Sequence, residues 1–179
     1  MGAAFPEQIE TAHLRGARIS EADWRHLRAM HRNPEVMRTL GGLRDVAESR
    51  RLLDRLLEDW RADGFGLWWL TDRETGAPAG HGGLRRTRVA GVDEVEVVYA
   101  LMPPFWGRGY ATEIARRSVD LAFRVLHLPN IVCLTLTTNL ASQRVMQKAG
   151  FRFEKDIDHA GLPHVLYRQF GPSAADLPR

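Results

Sequence analysis

The sequence predicts a single domain of the α/β class in its α+β form: a mixed, mostly antiparallel central sheet of about six to seven strands with about four flanking helices. Three observations carry this. A chain of 179 residues is close to one ordinary domain of roughly 150 and leaves little for a second. Hydrophobic residues at 44% and charged residues at 26% match a folded protein able to bury about 70% of its unfolded surface. Short strand-like runs, bounded by Gly, Pro and Asp, are interspersed with segments of 3.6-residue period.

Residues 1–10 show no periodicity and read as a flexible N-terminal arm. A short strand runs from Leu14 to Ile19 and ends at Ser20, a helix N-cap candidate. The following helix places Trp24, Leu27 and Met30 on one face before Pro34. A second helix is capped by Asp45, lines up Val46, Leu53, Leu56, Leu57 and Trp60, and stops at Asp63-Gly64. Phe65 to Thr71 is a strand, and the turn residues Asp72 to Gly76 lead back into another at Ala79 to Arg86. After a loop at Val89-Ala90-Gly91, Val95, Val97, Tyr99 and Leu101 alternate with Glu94, Glu96, Val98 and Ala100 up to Pro103-Pro104, which cannot continue a ladder.

A glycine-bearing segment, Phe105 to Thr112, opens a helix with Ala111, Ile114, Ala115, Leu121, Ala122 and Val125 on its apolar face. The remainder reads as a strand from Ile131 to Thr137, a helix from Asn139 to Ala149 ended by Gly150, and a closing hairpin of Phe151 to Ile157 with His164 to Phe170. The domain therefore spans 11–170, and the Pro-bearing tail 171–179 is expected to be disordered.

Several function classes are excluded or disfavoured. The single cysteine, Cys133, permits no internal disulfide and no cysteine-rich zinc site, so a reducing, cytoplasmic setting is expected. It reads as a small core residue. Trp60, Trp68 and Trp69 are assigned to the core or to a groove wall. The histidines make no paired metal spacing, so no metal is assigned. The net charge of +3 comes from interspersed charges; no basic-aromatic platform or recognition helix points to nucleic acid. The densest basic patch, Arg85, Arg86 and Arg88, reads as a solvated strand end. No signal pattern, membrane span or myristoylation signal is visible, and no membrane partner is expected.

The most informative segment is a strand, then Gly107-Arg108-Gly109, then a helix. Glycines let backbone N–H groups approach an anion closely, and a helix N-terminus adds partial positive charge, so the arrangement suits a phosphate. Alone it is a weak signal. A dinucleotide fingerprint would need a third glycine and a later acidic residue, and a Walker loop would need a Lys that Tyr110-Ala111-Thr112 lacks.

Taken together, the motifs resemble the GNAT acetyltransferase superfamily. Trp106-Gly107-Arg108-Gly109-Tyr110-Ala111 is similar to its Q/R-x-x-G-x-G/A pyrophosphate loop, with Trp106 in place of the usual Gln or Arg. Phe105 to Glu113 resembles the WGKGYATE form of the RimJ/RimL-like N-acetyltransferases. Asn139-Leu140-Ala141-Ser142, Arg144-Val145 and Gly150-Phe151 look like that branch's N-x-x-S-x-R-V…G-F signature. Glu96-Val97-Val98-Tyr99 resembles its E-x-G-Y strand, with Val98 replacing the glycine. The similarity runs from Thr11 to Arg168, and three motifs in order are far more specific than one.

The resemblance implies acetyl-CoA as co-substrate and two splayed strands, ending at Leu101 and Thr137, that form the acyl-CoA cleft. It implies that the pantetheine arm pairs with backbone around Tyr99, Ala100 and Leu101. The pyrophosphate would then sit on the segment Trp106, Gly107, Arg108, Gly109, Tyr110, Ala111 and Thr112. Glu96 matches the family's general-base position, acting through a water, or is an ordinary strand carboxylate as Glu94 is expected to be. Backbone N–H groups near Val98 or Tyr99 would stabilise the oxyanion.

Seven residues beyond Asn139 the superfamily commonly has a Tyr; here it is Met146, which cannot donate a proton. Ser142 then matches the branch's proton donor, or is a first-turn serine with a structural duty. Asn139 holds the pantetheine amides or merely caps its helix, and neither duty excludes the other. The implied reaction is acetyl transfer to a primary amine by direct attack in a ternary complex. The acceptor is a protein N-terminal α-amine or, alternatively, a small molecule or antibiotic. A non-catalytic acyl-CoA-binding sensor is the competing class, and a homodimer is left open.

Overall fold

The structure, a computed structural model, describes residues 4–172. Its centre is one eight-stranded sheet in the order β1-β2-β3-β4-β5-β6-β8-β7. The strands are β1 (Gln8–Glu10), β2 (Leu14–Arg18), β3 (Leu67–Asp72), β4 (Pro78–Val89), β5 (Val92–Leu101), β6 (Asn130–Leu136), β7 (Arg152–His159) and β8 (Leu162–Phe170). Every neighbouring pair is antiparallel except β5 with β6. That parallel step needs a crossover, supplied by α4 (Tyr110–Arg124).

The other helices are α1 (Trp24–His31), α2 (Pro34–Met37), α3 (Val46–Asp63) and α5 (Leu140–Lys148). Asp45 caps α3 through a capping box with Glu48, and Gly64, at φ 72°, ends it in the left-handed conformation that glycine adopts without a Cβ penalty. Val46, assigned to the apolar face from its period, is the first residue of α3 and is 59% exposed. The short α2 has no counterpart in the sequence reading. Pro34, taken as a stop, is instead the first residue of a new turn whose N–H groups at Glu35 and Val36 bond to the Asn33 side chain.

The expected loose arm is packed where the structure describes it. Phe5 is buried and stacks on Trp68 at 5.0 Å between ring centroids, and β1 pairs with β2. A three-residue edge strand with one inward residue, Ile9, has no periodicity to read. Residues 1–3 and 173–179, which include most of the predicted tail, lie outside the described residues.

Strand alternation assigns the layers. Gly82 faces Ile114 of α4, and Tyr99, its partner in register, reaches Ser142 of α5, so both helices lie on one face. Trp69, pointing the other way, stacks on His26 of α1 at 5.8 Å, and α1 packs with α3 on that opposite face. One large core cluster fills these layers, with a satellite of Val89, Val132 and Leu166 toward the β7 side. Among the described residues, no helix is long and apolar enough to cross a membrane.

Candidate active site

The seam between β5 and β6 is where the sheet comes apart. All of β5 pairs with β4 and all of β6 with β8, but β5 and β6 share a single registered pair, Glu96 with Val132. Beyond it the thiol of Cys133 donates to the carbonyl of Val97 at 3.2 Å, and the indole Nε1–H of Trp106 donates to that of Leu101 at 2.7 Å. Backbone groups of alternate strand residues point to the same side. Tyr99, between these two, therefore turns its N–H and C=O into the seam, while those of Val98 and Ala100 face β4. This corrects the expected docking set: Ala100, paired with His81, has no main-chain edge to offer there.

The glycine segment closes one end of the seam. A 3-10 turn at Pro103–Phe105 follows β5, Gly107 and Gly109 take φ 73° and 83°, and Gly109 is the N-cap of α4. Nothing lies within 4 Å of a Cβ built on either glycine. The first-turn N–H groups of Tyr110, Ala111 and Thr112 have no intrahelical acceptor, and the first helical bond runs from Glu113 N–H to Gly109 O. These features suit a pyrophosphate.

Trp106 is 44% exposed and Arg108 is exposed with its guanidinium over the Phe105 ring, whereas Tyr110 turns inward. Its hydroxyl donates to Asp72 Oδ2 at 2.6 Å and its ring stacks between His13 and Phe105. Hydrogen bonds from Tyr110 and Thr75 hold the Asp72 carboxyl at about 2, below its ordinary value. Glu113 accepts from Thr11 Oγ1 and His13 N–H. Both carboxylates thus tie the α4 N-terminus to the β1–β2 and β3–β4 turns.

Glu96 is not on a solvent-facing side. It is 4% exposed, and Arg85 Nε and Nη2 both bond its Oε2, at 2.9 and 2.8 Å. Glu94, expected in solvent, is bound at both oxygens by Arg168. The basic patch divides accordingly: Arg85 is committed to Glu96 and Arg86 to Asp63, with Arg88 left exposed beside Asp93. On the other face, the Tyr99 hydroxyl lies 2.9 Å from Ser142 Oγ and 3.2 Å from Ser142 O. Burial pushes the Tyr99 phenol well above its ordinary pKa, so it keeps its proton.

Asn139 caps α5: Oδ1 accepts the Ser142 N–H, and Nδ2 donates to Thr135 Oγ1. Ser142 is therefore not the cap. Met146 is 1% exposed. Cys133 is buried, as expected, and burial raises its thiol pKa.

A polar network that the sequence reading did not identify braces the α1–α3 side. Arg44 Nη1 donates to His31 Nε2 at 3.2 Å, which leaves Nδ1 carrying the proton toward Ser49 Oγ at 2.9 Å. Ser49 in turn donates to Asp45 O and accepts from Arg28. Burial and the two arginines lower the His31 pKa to about 4.

The sequence matches the Acetyltransferase (GNAT) domain over residues 13–152. It is 28% identical over 137 residues to YkkB of Bacillus subtilis, covering 76% of this chain and 80% of that protein. A GnaT-family acetyltransferase from Bordetella pertussis superposes with TM-score 0.80 at 25% identity, covering 92% of this chain and 99% of the other. The ribosomal-protein-S5-alanine acetyltransferase from Vibrio fischeri shares the fold, with TM-score 0.76 at 18% identity over 96% and 99% of the two chains. With the domain match spanning most of its length, the chain belongs to the GNAT family of acetyltransferases.

Proposed function

We propose that the protein transfers the acetyl group of acetyl-CoA directly to a primary amine in a ternary complex, and that the amine is the α-amine of a protein or peptide N-terminus. The observation that carries the reading is the seam: Tyr99 presents an unpaired backbone edge between β5 and β6, and the Gly107–Thr112 N–H groups lie at its end. A half-buried edge of this kind can take a partner strand, and an extended amide-bearing arm attached to a pyrophosphate matches both parts. The RimJ/RimL-like motifs and the likeness to an enzyme named for a ribosomal protein support the peptide acceptor.

In this reading the amine nitrogen attacks the thioester carbon, the Tyr99 N–H stabilises the oxyanion, and the C–S bond breaks. The nitrogen loses a proton through water to Glu96, whose Oε1 is not used by Arg85. The departing thiolate receives one from Ser142 Oγ, which Tyr99 can resupply across their 2.9 Å contact. An acceptor panel of free-N-terminus peptides, polyamines and aminoglycosides, followed by thiol release from acetyl-CoA, tests the assignment. Peptide turnover is expected. Turnover of only a small amine rejects the N-terminal acceptor, and acetyl-CoA binding with no turnover of any amine marks a sensor instead of an enzyme.

A further inference from the structure

Among the described residues, only four buried side-chain nitrogen or oxygen atoms have no hydrogen-bond partner, and two of them are neighbours: Trp69 Nε1 and His81 Nδ1. Trp69 and His81 face each other in register on β3 and β4, with ring centroids 6.3 Å apart and exposures of 4% and 7%. A buried polar group left without a partner costs about 1–3 kcal/mol, so two side by side call for an explanation.

The register fixes where this place is. His81 opposes Ala100 and Arg85 opposes Glu96, so Trp69, His81, Arg85 and Glu96 share the sheet face opposite α4, beneath α1. Four residues along a strand put Ala100 roughly 13 Å from Glu96. The stretch of β5 between them includes Tyr99, the residue open to the seam. An extended peptide whose amine lies at that stretch reaches His81 within its first few residues.

The chemistry of the ligand follows from the two nitrogens and their surroundings. An indole N–H only donates. Burial, with His31, Arg85 and Arg44 nearby, keeps His81 uncharged, its pKa lowered to about 3, so one of its ring nitrogens carries a proton, and a donor at Nδ1 requires that tautomer. With the proton on Nδ1, the pair offers two neutral donors, which suit a carbonyl oxygen and give a cation nothing to bind.

We propose that Trp69 Nε1–H and His81 Nδ1–H together bind one backbone carbonyl oxygen of a peptide acceptor and so determine its selection over cationic small amines. This rests on the peptide-acceptor reading above, and it can fail separately. The test follows the Trp69 indole resonance in ¹⁵N-labelled full-length protein, assigned with Trp69→Phe, on adding CoA with an N-acetylated tetrapeptide or CoA with spermine. The peptide is expected to move the resonance downfield and spermine to leave it in place. Trp69→Phe and His81→Phe should each raise the peptide KM about tenfold without changing the KM for acetyl-CoA.

A resonance that stays put when the peptide binds, a peptide that does not bind, or a peptide KM unchanged in both variants overturns the inference and leaves the two nitrogens to buried water. Movement of the resonance by the peptide without acetyl transfer to any amine would instead sink the proposed reaction and keep the site.

Discussion

Removing the Ser142 hydroxyl separates a chemical duty from a structural one, because the geometry makes the two costs differ. In Ser142→Ala, Tyr99 loses the Oγ contact at 2.9 Å but keeps the Ser142 main-chain oxygen at 3.2 Å, so its phenol stays satisfied. The loss is at most one neutral hydrogen bond, about 0.5–1 kcal/mol of unfolding free energy. The helix cap is untouched, since Asn139 supplies it, and the further ~1 kcal/mol expected from a lost cap does not arise. Turnover should fall by more than stability does. A CoA thiolate is a fairly good leaving group, so the effect belongs at the low end of general-acid catalysis, roughly 10²-fold in kcat.

Tyr99→Phe should show a similar loss, and the double variant should be no worse than the poorer single one if the hydroxyls act as a unit. Thiol release at saturating acetyl-CoA and urea unfolding supply the two readouts. A Ser142→Ala enzyme with unchanged kcat and a lowered melting temperature refutes the reasoning and gives the proton step to water.

Glu96→Gln should lower kcat by about 10² to 10⁴ at neutral pH with near-normal affinity for acetyl-CoA in calorimetry; a rate within a few-fold of the parent leaves Glu96 as the structural partner of Arg85. Gly109→Val forces a branched residue to φ 83° and puts it where phosphate oxygens must approach. Affinity for acetyl-CoA should drop at least tenfold, ~1.4 kcal/mol, and wild-type affinity in a folded variant rejects the loop assignment. His31 gives stability a pH dependence of defined sign. The unfolded chain takes up this proton near 6.5 and the native protein only near 4, so stability declines as pH falls across that window, by about 3 kcal/mol for this one group. His31→Gln should flatten that part of a pH series of urea midpoints, and an unchanged slope assigns the effect elsewhere.

Most of the elements were legible because their signals are local. Asp45 and Gly64 bracket α3 with a cap and a left-handed stop, and the alternation along β5 ends at two prolines. What escaped depends on pairing between distant segments. Ala90 and Gly91, both with positive φ, form a two-residue turn, and from Val89↔Val92 the register runs without slip to Arg85↔Glu96. Reading that turn as two residues instead of a longer loop would have set the two side chains opposite each other and denied Glu96 its solvent-facing place.

The Tyr99–Ser142 contact and the Trp69–His81 pair lacked even that clue. Tyr99 and Ser142 lie on elements separated by the α4 crossover. The alignment of Trp69 with His81 depends on a β3–β4 connection whose register shifts at Leu70/Thr71.

The single registered pair at the seam divides the sheet into two plates, β1–β5 and β6–β8, fastened at one rivet beside Glu96 and held otherwise by the helices and side chains that span the joint. A long molecule laid between the plates supplies main-chain bonds that the ladder omits, and so works as mortar. Its contribution is to cooperativity as well as to total stability: each plate gains a reason to stay folded while the other does. The bare protein should therefore loosen first along β6 and the open end of β5, with amide exchange there faster than in the fully paired β4, and cofactor should slow exchange on both sides of the joint together.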